Sequence, residues 1–102
     1  MGLQKLILTL INLHLGRYTK VTSGASCEAS GFGRITSGLE CQTAPQELGL
    51  SFRWRGTVDA PDGPPGCYLR FDGDLWYNVN GMSTAPCTSQ SNCVCKTGKH
   101  FC

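Results

Sequence analysis

Seven cysteines are the residues of this 102-residue sequence that are best suited to chemistry. At this density, cysteines either bind metal or form a disulfide framework, as in small secreted domains. Structural zinc sites usually contain two C-x(2–4)-C pairs, whereas this sequence has a single C-x-C, at Cys93 and Cys95. We therefore predict disulfide bonds and neither a metal site nor a cofactor. The six cysteines expected to pair are Cys27, Cys41, Cys67, Cys87, Cys93 and Cys95.

The connectivity of these six cysteines stays open, because many pairings are compatible with the sequence. Cys93 and Cys95 are not expected to bond to each other, since a ring closed over one intervening residue is strained. Each should instead reach a distant partner. Cys102 lies outside the six and is expected to be a free thiol or to link two chains. Oligomers joined through Cys102 are therefore a further prediction.

No arrangement of residues predicts catalysis. The two histidines, His14 and His100, lie in the apolar N-terminal stretch and in the polar tail, without a neighbour that would orient them for catalysis. No serine occupies a G-x-S-x-G elbow. Asp72 and Asp74 carry oxygen ligands that calcium accepts, but their spacing is not that of an EF-hand, and a turn explains both. We predict that the protein is not an enzyme.

Two tryptophans and two arginines are the best candidates for ligand binding. The stretch SFRWRGTV alternates large apolar and charged residues, which predicts a strand with Trp54 on one face and Arg53 and Arg55 on the other. If Tyr77 faces the core, strand alternation turns Trp76 to the opposite side. An exposed tryptophan beside arginines suits stacking on a sugar ring or contact with a protein partner.

The strongest local signal is a β-hairpin formed by residues 67–71 and 75–79 around the Asp72-Gly73-Asp74 sequence. A glycine after an aspartate supplies the positive φ that a tight turn needs. A disulfide at Cys67 would tie this hairpin to the rest of the chain. Its large apolar side chains, expected to form much of the core, are Tyr68, Phe71, Leu75 and Tyr77.

A short helix is predicted over residues 38–48. Ser37 and Glu40 have the spacing of a capping box, in which the serine side chain accepts a hydrogen bond from the backbone of Glu40. Cys41 falls on the apolar face of this helix, which predicts a disulfide between helix and sheet. Pro45 removes one internal hydrogen bond, so the helix should be kinked or broken there.

These elements predict an α+β fold, a small disulfide-rich domain in which one short helix packs on a small antiparallel sheet. Residues 17–102 are assigned to a single cysteine-rich domain. Residues 1–16 form an apolar leader with one charge, at Lys5. The leader suits a signal-peptide core and is too short to span a bilayer. The alternative is that it forms one more strand or helix of the domain.

The charge pattern restricts the partners. The net charge is +2 and the basic residues are scattered, whereas a nucleic-acid-binding protein needs a basic patch or stripe. We predict no nucleic-acid partner, and contact with a membrane only through the leader.

The cysteine pattern and two short sequence runs resemble a small cysteine-rich module found in predicted extracellular proteins of dinoflagellates and other algae. The matching features are Cys27, Cys41, PPGCY at 64–68, LWYN at 75–78, Cys87 and the C-x-C at 93–95. The resemblance covers roughly residues 18–96. It implies one folded unit in an extracellular setting, and no reaction is assigned to the module.

From these observations we predict a secreted or cell-surface, non-enzymatic module that binds a glycan or an extracellular protein. The ligand-binding candidates are Trp54, Trp76, Arg53 and Arg55. Two alternatives stay open. One is a structural subunit of an extracellular coat or fibril, linked through Cys102. The other is a small secreted inhibitor or toxin, whose functional element would be a rigid exposed loop at residues 59–66.

Overall fold

A helix and six short strands make up the part of the chain that the computed structural model describes, residues 16–98. The two histidines, Cys102 and the leader up to residue 15 lie outside that range. The elements are β1 (Tyr18–Val21), a 3-10 turn (Glu28–Ser30), β2 (Gly33–Arg34), α1 (Gly38–Glu47), β3 (Arg53–Val58), β4 (Gly66–Arg70), β5 (Asp74–Asn78) and β6 (Ser91–Lys96).

The strands form one sheet in the order β1-β6-β4-β5-β3, and β2 pairs with the end of β6. The predicted α+β class, with one helix and a disulfide-rich sheet, is confirmed. The prediction of an antiparallel sheet is corrected in one respect, because β3 runs parallel to β5 while the other pairs are antiparallel. The chain enters β3 from the helix and leaves it through a long loop to β4. This crossover lets β3 lie beside β5 in the same direction.

The predicted hairpin is present as β4 and β5, with Leu69 opposite Leu75. Its turn places Gly73 at φ +92° and closes with a hydrogen bond from the Gly73 amide to the Arg70 carbonyl, 3.0 Å. The first strand ends one residue earlier than predicted. Phe71 consequently lies in the turn, where it is 65% exposed, and does not join the core as expected.

The helix begins as predicted, since the Ser37 hydroxyl accepts from the Glu40 amide at 3.1 Å. It ends in a Schellman arrangement, in which the Leu50 amide donates to the Pro45 carbonyl at 2.9 Å and Gly49 has φ +71°. Pro45 is expected to kink or break the helix, but the helix is not broken there, since it continues to Glu47. Pro45 lies in the last turn, and only two helical residues follow it. Its ring is fully buried, so packing compensates for the hydrogen bond it cannot make.

The Glu40 side chain does not complete the capping box and instead joins the helix to the sheet. It accepts a hydrogen bond from the Tyr18 hydroxyl at 2.9 Å and forms an ion pair with Lys96 at 3.2 Å. Burial, together with this hydrogen bond to a carboxylate, raises the pKa of Tyr18 to about 12. The hydroxyl therefore stays protonated and continues to donate to Glu40 at neutral pH.

The two faces of the sheet carry two separate cores. The helix covers the first face, whose buried side chains are Tyr18, Ile35, Cys41, Ala44, Cys67, Leu69, Leu75 and Val94. The second face carries a smaller core of Val21, Cys27, Cys87, Cys93 and Cys95, with Phe32 packed against it. Cysteines thus form a large share of the buried side chains, as expected where apolar residues are few.

Three disulfide bonds join the six cysteines that the sequence predicts to pair. Their partners are Cys27 with Cys95, Cys41 with Cys67, and Cys87 with Cys93. The second bond links α1 to β4, as expected from the position of Cys41. Cys93 and Cys95 share one face of β6 and do not bond to each other, as predicted. Cys95 reaches a distant partner, but the expectation of a distant partner for Cys93 is wrong, because Cys87 lies only 6 residues away. Several disulfides in a domain this small are typical of secreted or extracellular proteins.

Gly66 is required where β4 starts beside β2. Its φ is +85°, and a Cβ at this position would lie 2.7 Å from Cγ of Arg34 and 3.1 Å from the Ile35 carbonyl oxygen. Gly66→Ala should combine backbone strain with a steric clash and lower the free energy of unfolding by about 3 kcal/mol. The control is Gly73→Ala, where φ is also positive but a Cβ meets nothing within 4 Å; its expected cost is about 1 kcal/mol. Equal losses in urea-induced unfolding would contradict this account.

Candidate functional site

The four predicted binding residues lie on two different faces of the sheet. Trp54 packs against the core beneath the helix, and its Cη2 atom lies 3.7 Å from the position a Cβ would take at Gly38. Trp76 lies on the opposite face, because Tyr77 packs on the core and the two alternate. Arg53 lies on the Trp76 face, and Arg55 extends toward the same face. Trp54 is therefore half-buried against the core on the helix side, and the other three form one surface on the opposite side.

The Trp76 surface occupies the uncovered half of its sheet face, and we define it as Arg53, Arg55, Gly56, Asp74 and Trp76. A row of directly opposed residues crosses this face from β1 to β3: Val21, Cys93, Tyr68, Trp76 and Gly56. The first three are buried, whereas the last two are only half-buried. Burial therefore decreases along the row toward β3, and Trp76 and Gly56 form its more exposed end.

Gly56 keeps the space beside Trp76 free. It lies opposite Trp76 in the strand pairing, and an ideal Cβ at Gly56 would meet no atom within 4 Å. The pairing skips one residue between Trp54 and Gly56, so Arg55 is the extra residue of a β-bulge. Gly56 has φ +115°, which glycine adopts readily in such a bulge. The bulge places Arg55 next to the residue that faces Trp76.

Asp74 binds one arginine of this surface and lies close to the other. Its Oδ1 atom accepts from Nε and Nη2 of Arg53 at 3.0 and 2.8 Å, and its Oδ2 atom lies 3.8 Å from Nε of Arg55. The hydrogen bond from Arg53 to the Asp74 carboxylate raises the pKa of Arg53. Arg53 consequently stays positively charged at any pH at which the domain is folded.

The arginines extend further into solvent than the carboxylate between them. The Arg53 and Arg55 side chains are 67% and 52% exposed, against 18% for Asp74. At the adjoining turn, Arg70 forms an ion pair with Asp72 at 3.8 Å and lies over the Phe71 ring at 5.8 Å. An approaching ligand therefore first meets guanidinium groups and one half-buried indole.

These features do not assign the chain to a family. Neither the known protein families, nor the curated proteins, nor the solved structures contain a match to this chain. The resemblance to the algal cysteine-rich module stays a prediction. The interpretation of the Trp76 surface therefore depends on its own geometry.

The chemistry of the Trp76 surface is suited to binding. Guanidinium groups donate several hydrogen bonds in one plane, which matches carboxylate, sulfate and hydroxyl oxygens. The indole provides a flat apolar face for stacking. Within residues 16–98, no group of three or more histidine, cysteine or acidic side chains is arranged to hold a metal ion.

The 59–66 loop, proposed as the element of an inhibitor, is anchored to the sheet over its second half. Residues 63–66 are buried. Asn78, only 2% exposed, donates from Nδ2 to the carbonyls of Ala60, Gly63 and Pro64 at 2.8–3.1 Å. Its Oδ1 accepts from the Ala60 amide at 2.9 Å. A loop held in this way along half its length does not favour the inhibitor hypothesis.

The sequence patterns did not predict the roles of two residues in this region, Asp74 and Asn78. Asp74 looked like a turn residue, and its contact with Arg53 depends on the parallel pairing of β3 and β5, which no local pattern indicates. Asn78 is the last residue of β5, and its side chain binds backbone groups of a loop that lies 14 to 18 residues earlier in the sequence. A buried asparagine is detectable in a sequence only when the strand's buried face is already known.

No helix formed by residues 16–98 has the length and apolar character needed to cross a bilayer.

Proposed function

We propose that this protein is a secreted or cell-surface, non-enzymatic module that binds a glycan through the Trp76 surface. One observation carries the proposal: a half-buried tryptophan lies on the open side of the sheet beside two exposed arginines, of which Asp74 binds one and lies 3.8 Å from the other. The extracellular assignment is supported by the three disulfide bonds in a short chain.

The surroundings of Trp76 favour a glycan over a protein as the ligand. A stable protein interface buries roughly 800 Å² on each partner and has an apolar centre. The neighbours of Trp76 on its open side are instead Gly56 and the charged residues of β3 and β5. A flat aromatic ring bordered by hydrogen-bond donors matches the alternating apolar and hydroxyl surfaces of a sugar ring.

Glycan-array binding tests the proposal. Trp76→Ala is expected to weaken binding of the recognised glycan by about tenfold or more, because truncating a central aromatic contact costs about 2 kcal/mol. Trp76→Phe retains part of the stacking surface, so its affinity should be intermediate. The matched control is Leu39→Ala, which removes an apolar side chain that is 76% exposed on the helix; it should bind as the wild type does.

Each variant must be shown to fold. The thermal unfolding midpoint of the oxidised protein measures this. Binding that is unchanged in Trp76→Ala would overturn the proposal for this surface. Absence of binding to every glycan would overturn the ligand class and leave a protein partner as the interpretation.

A further inference from the structure

We infer that the glycan recognised by the Trp76 surface is acidic, with Arg55 binding a carboxylate or sulfate group while a sugar ring stacks on Trp76. This inference rests on the proposed function and specifies its ligand class. It depends on how differently the two arginines of the surface are engaged.

Several of the N–H donors of Arg53 are already used in hydrogen bonds within the protein. Its Nε and Nη2 atoms both donate to Oδ1 of Asp74, and Nη2 also lies 3.5 Å from the Asp72 carbonyl. Such a fork over one carboxylate leaves few donors for a ligand. Arg53 and Asp74 together therefore form a fixed base for the surface.

Arg55 is the available cation. Its only polar interaction with a side chain among residues 16–98 is the 3.8 Å approach of Nε to Oδ2 of Asp74, which is too long for a hydrogen bond. Both terminal nitrogens thus remain free to donate, and the side chain is 52% exposed. Two parallel N–H donors of one guanidinium match the two oxygens of a carboxylate or sulfate.

The charge balance of the surface favours an anion at this position. Asp74 is shared between two arginines and is the least exposed of the three side chains. Its single negative charge leaves one positive charge in excess, which lies on the outer side of the surface. A neutral sugar offers the Arg55 donors only uncharged hydroxyl oxygens, whereas a carboxylate or sulfate carries the opposite charge and accepts two parallel bonds from one guanidinium.

The position of the bulge places the anion and the sugar ring side by side. Arg55 directly precedes Gly56, and Gly56 lies opposite Trp76 with open space around it. No side chain at position 56 separates the guanidinium from the indole. A ring on Trp76 with an acidic substituent directed along the strand would therefore meet Arg55.

The test compares polysaccharides that differ only in charge: polygalacturonate against its methyl ester, for carboxylate, and dextran sulfate against dextran, for sulfate. Binding to the full-length oxidised protein is measured by biolayer interferometry. At least one acidic polymer should bind about tenfold more tightly than its neutral partner. Arg55→Gln should remove that preference. The control Lys20→Gln loses the same charge from an exposed residue of β1 at the other edge of the sheet and should leave the preference intact.

Each outcome separates this inference from the proposed function. Equal binding of acidic and neutral polymers, lost in Trp76→Ala, would overturn the acidic ligand and leave the proposed function standing. Equal weakening by Arg55→Gln and Lys20→Gln would show attraction to overall charge and overturn the role of Arg55. Binding to none of these polymers or to any arrayed glycan would overturn both.

Discussion

Replacing Cys27 and Cys95 together with alanine is expected to lower the free energy of unfolding by about 4 kcal/mol. The bond joins residues 68 apart in sequence, so it removes more freedom from the unfolded chain than either of the other two. The same relation gives about 3.5 kcal/mol for Cys41–Cys67 and about 2.4 kcal/mol for Cys87–Cys93, whose separations are 26 and 6 residues. A loss of 4 kcal/mol is comparable to the whole stability of many small domains.

Chemical unfolding of the three double-alanine variants measures this order. The variant without Cys27–Cys95 should be the least stable and should contain a substantial unfolded fraction at 37 °C. The variant without Cys87–Cys93 is the matched control, since it removes two equally buried sulfur atoms from a much shorter loop. If that control were the most destabilised, or if full reduction left the unfolding midpoint unchanged, the disulfides would not stabilise the domain in the way described.

Asn78→Ala is expected to lower the free energy of unfolding by about 3 kcal/mol. The side chain is 2% exposed. It donates to the carbonyls of Ala60, Gly63 and Pro64 and accepts from two backbone amides. Its removal takes one hydrogen bond from each of these backbone groups in a region that water reaches poorly, and within residues 16–98 only the Gly63 and Ala60 carbonyls keep another donor, the Ser83 hydroxyl and the Gly63 amide. The 59–66 loop should then detach, which amide hydrogen exchange of its residues would detect.

Two further variants isolate the hydrogen bonds from the volume of the side chain. Asn80→Ala removes an asparagine whose Oδ1 accepts one bond, from the Met82 amide, so its cost should stay below about 1 kcal/mol. Asn78→Asp keeps the shape but faces three carbonyls with a carboxylate, which raises the pKa of that carboxyl in the folded state. Its stability relative to Asn78→Ala should therefore increase as the pH falls from 7 to 4. No such increase would indicate that the amide does not donate to the carbonyls.

Local chemistry allowed much of the secondary structure to be predicted. The Asp72-Gly73-Asp74 turn lies where the sequence places it, because the positive φ of Gly73 needs no tertiary contact. Ser37 caps the helix for the same reason. The two differences are the exposed Phe71 and a helix that continues past Pro45. They concern the last residue of a predicted strand and the last turn of a helix, where packing decides the outcome.

The Trp76 surface was predicted only in part. Alternation in β5 correctly separated Trp76 from Tyr77, and alternation in β3 separated Trp54 from Arg53. Whether Trp54 or Trp76 faces solvent depends on which side the helix covers, and both were proposed as binding residues. The helix lies against Trp54, and Trp76 consequently remains on the open face.

The sequence by itself determined the class of the fold, the hairpin, the helix start and the set of six cysteines that pair, because these follow from turn geometry, side-chain spacing and cysteine number. Only the tertiary structure decided the parallel pairing of β3 with β5, the three disulfide partners, the anchoring of a loop by Asn78 and the shared contact of Asp74 with two arginines. Apart from Cys87–Cys93, each of these joins residues that are distant in the chain. Their pairing depends on which elements meet when the core is buried, a choice that local patterns leave open.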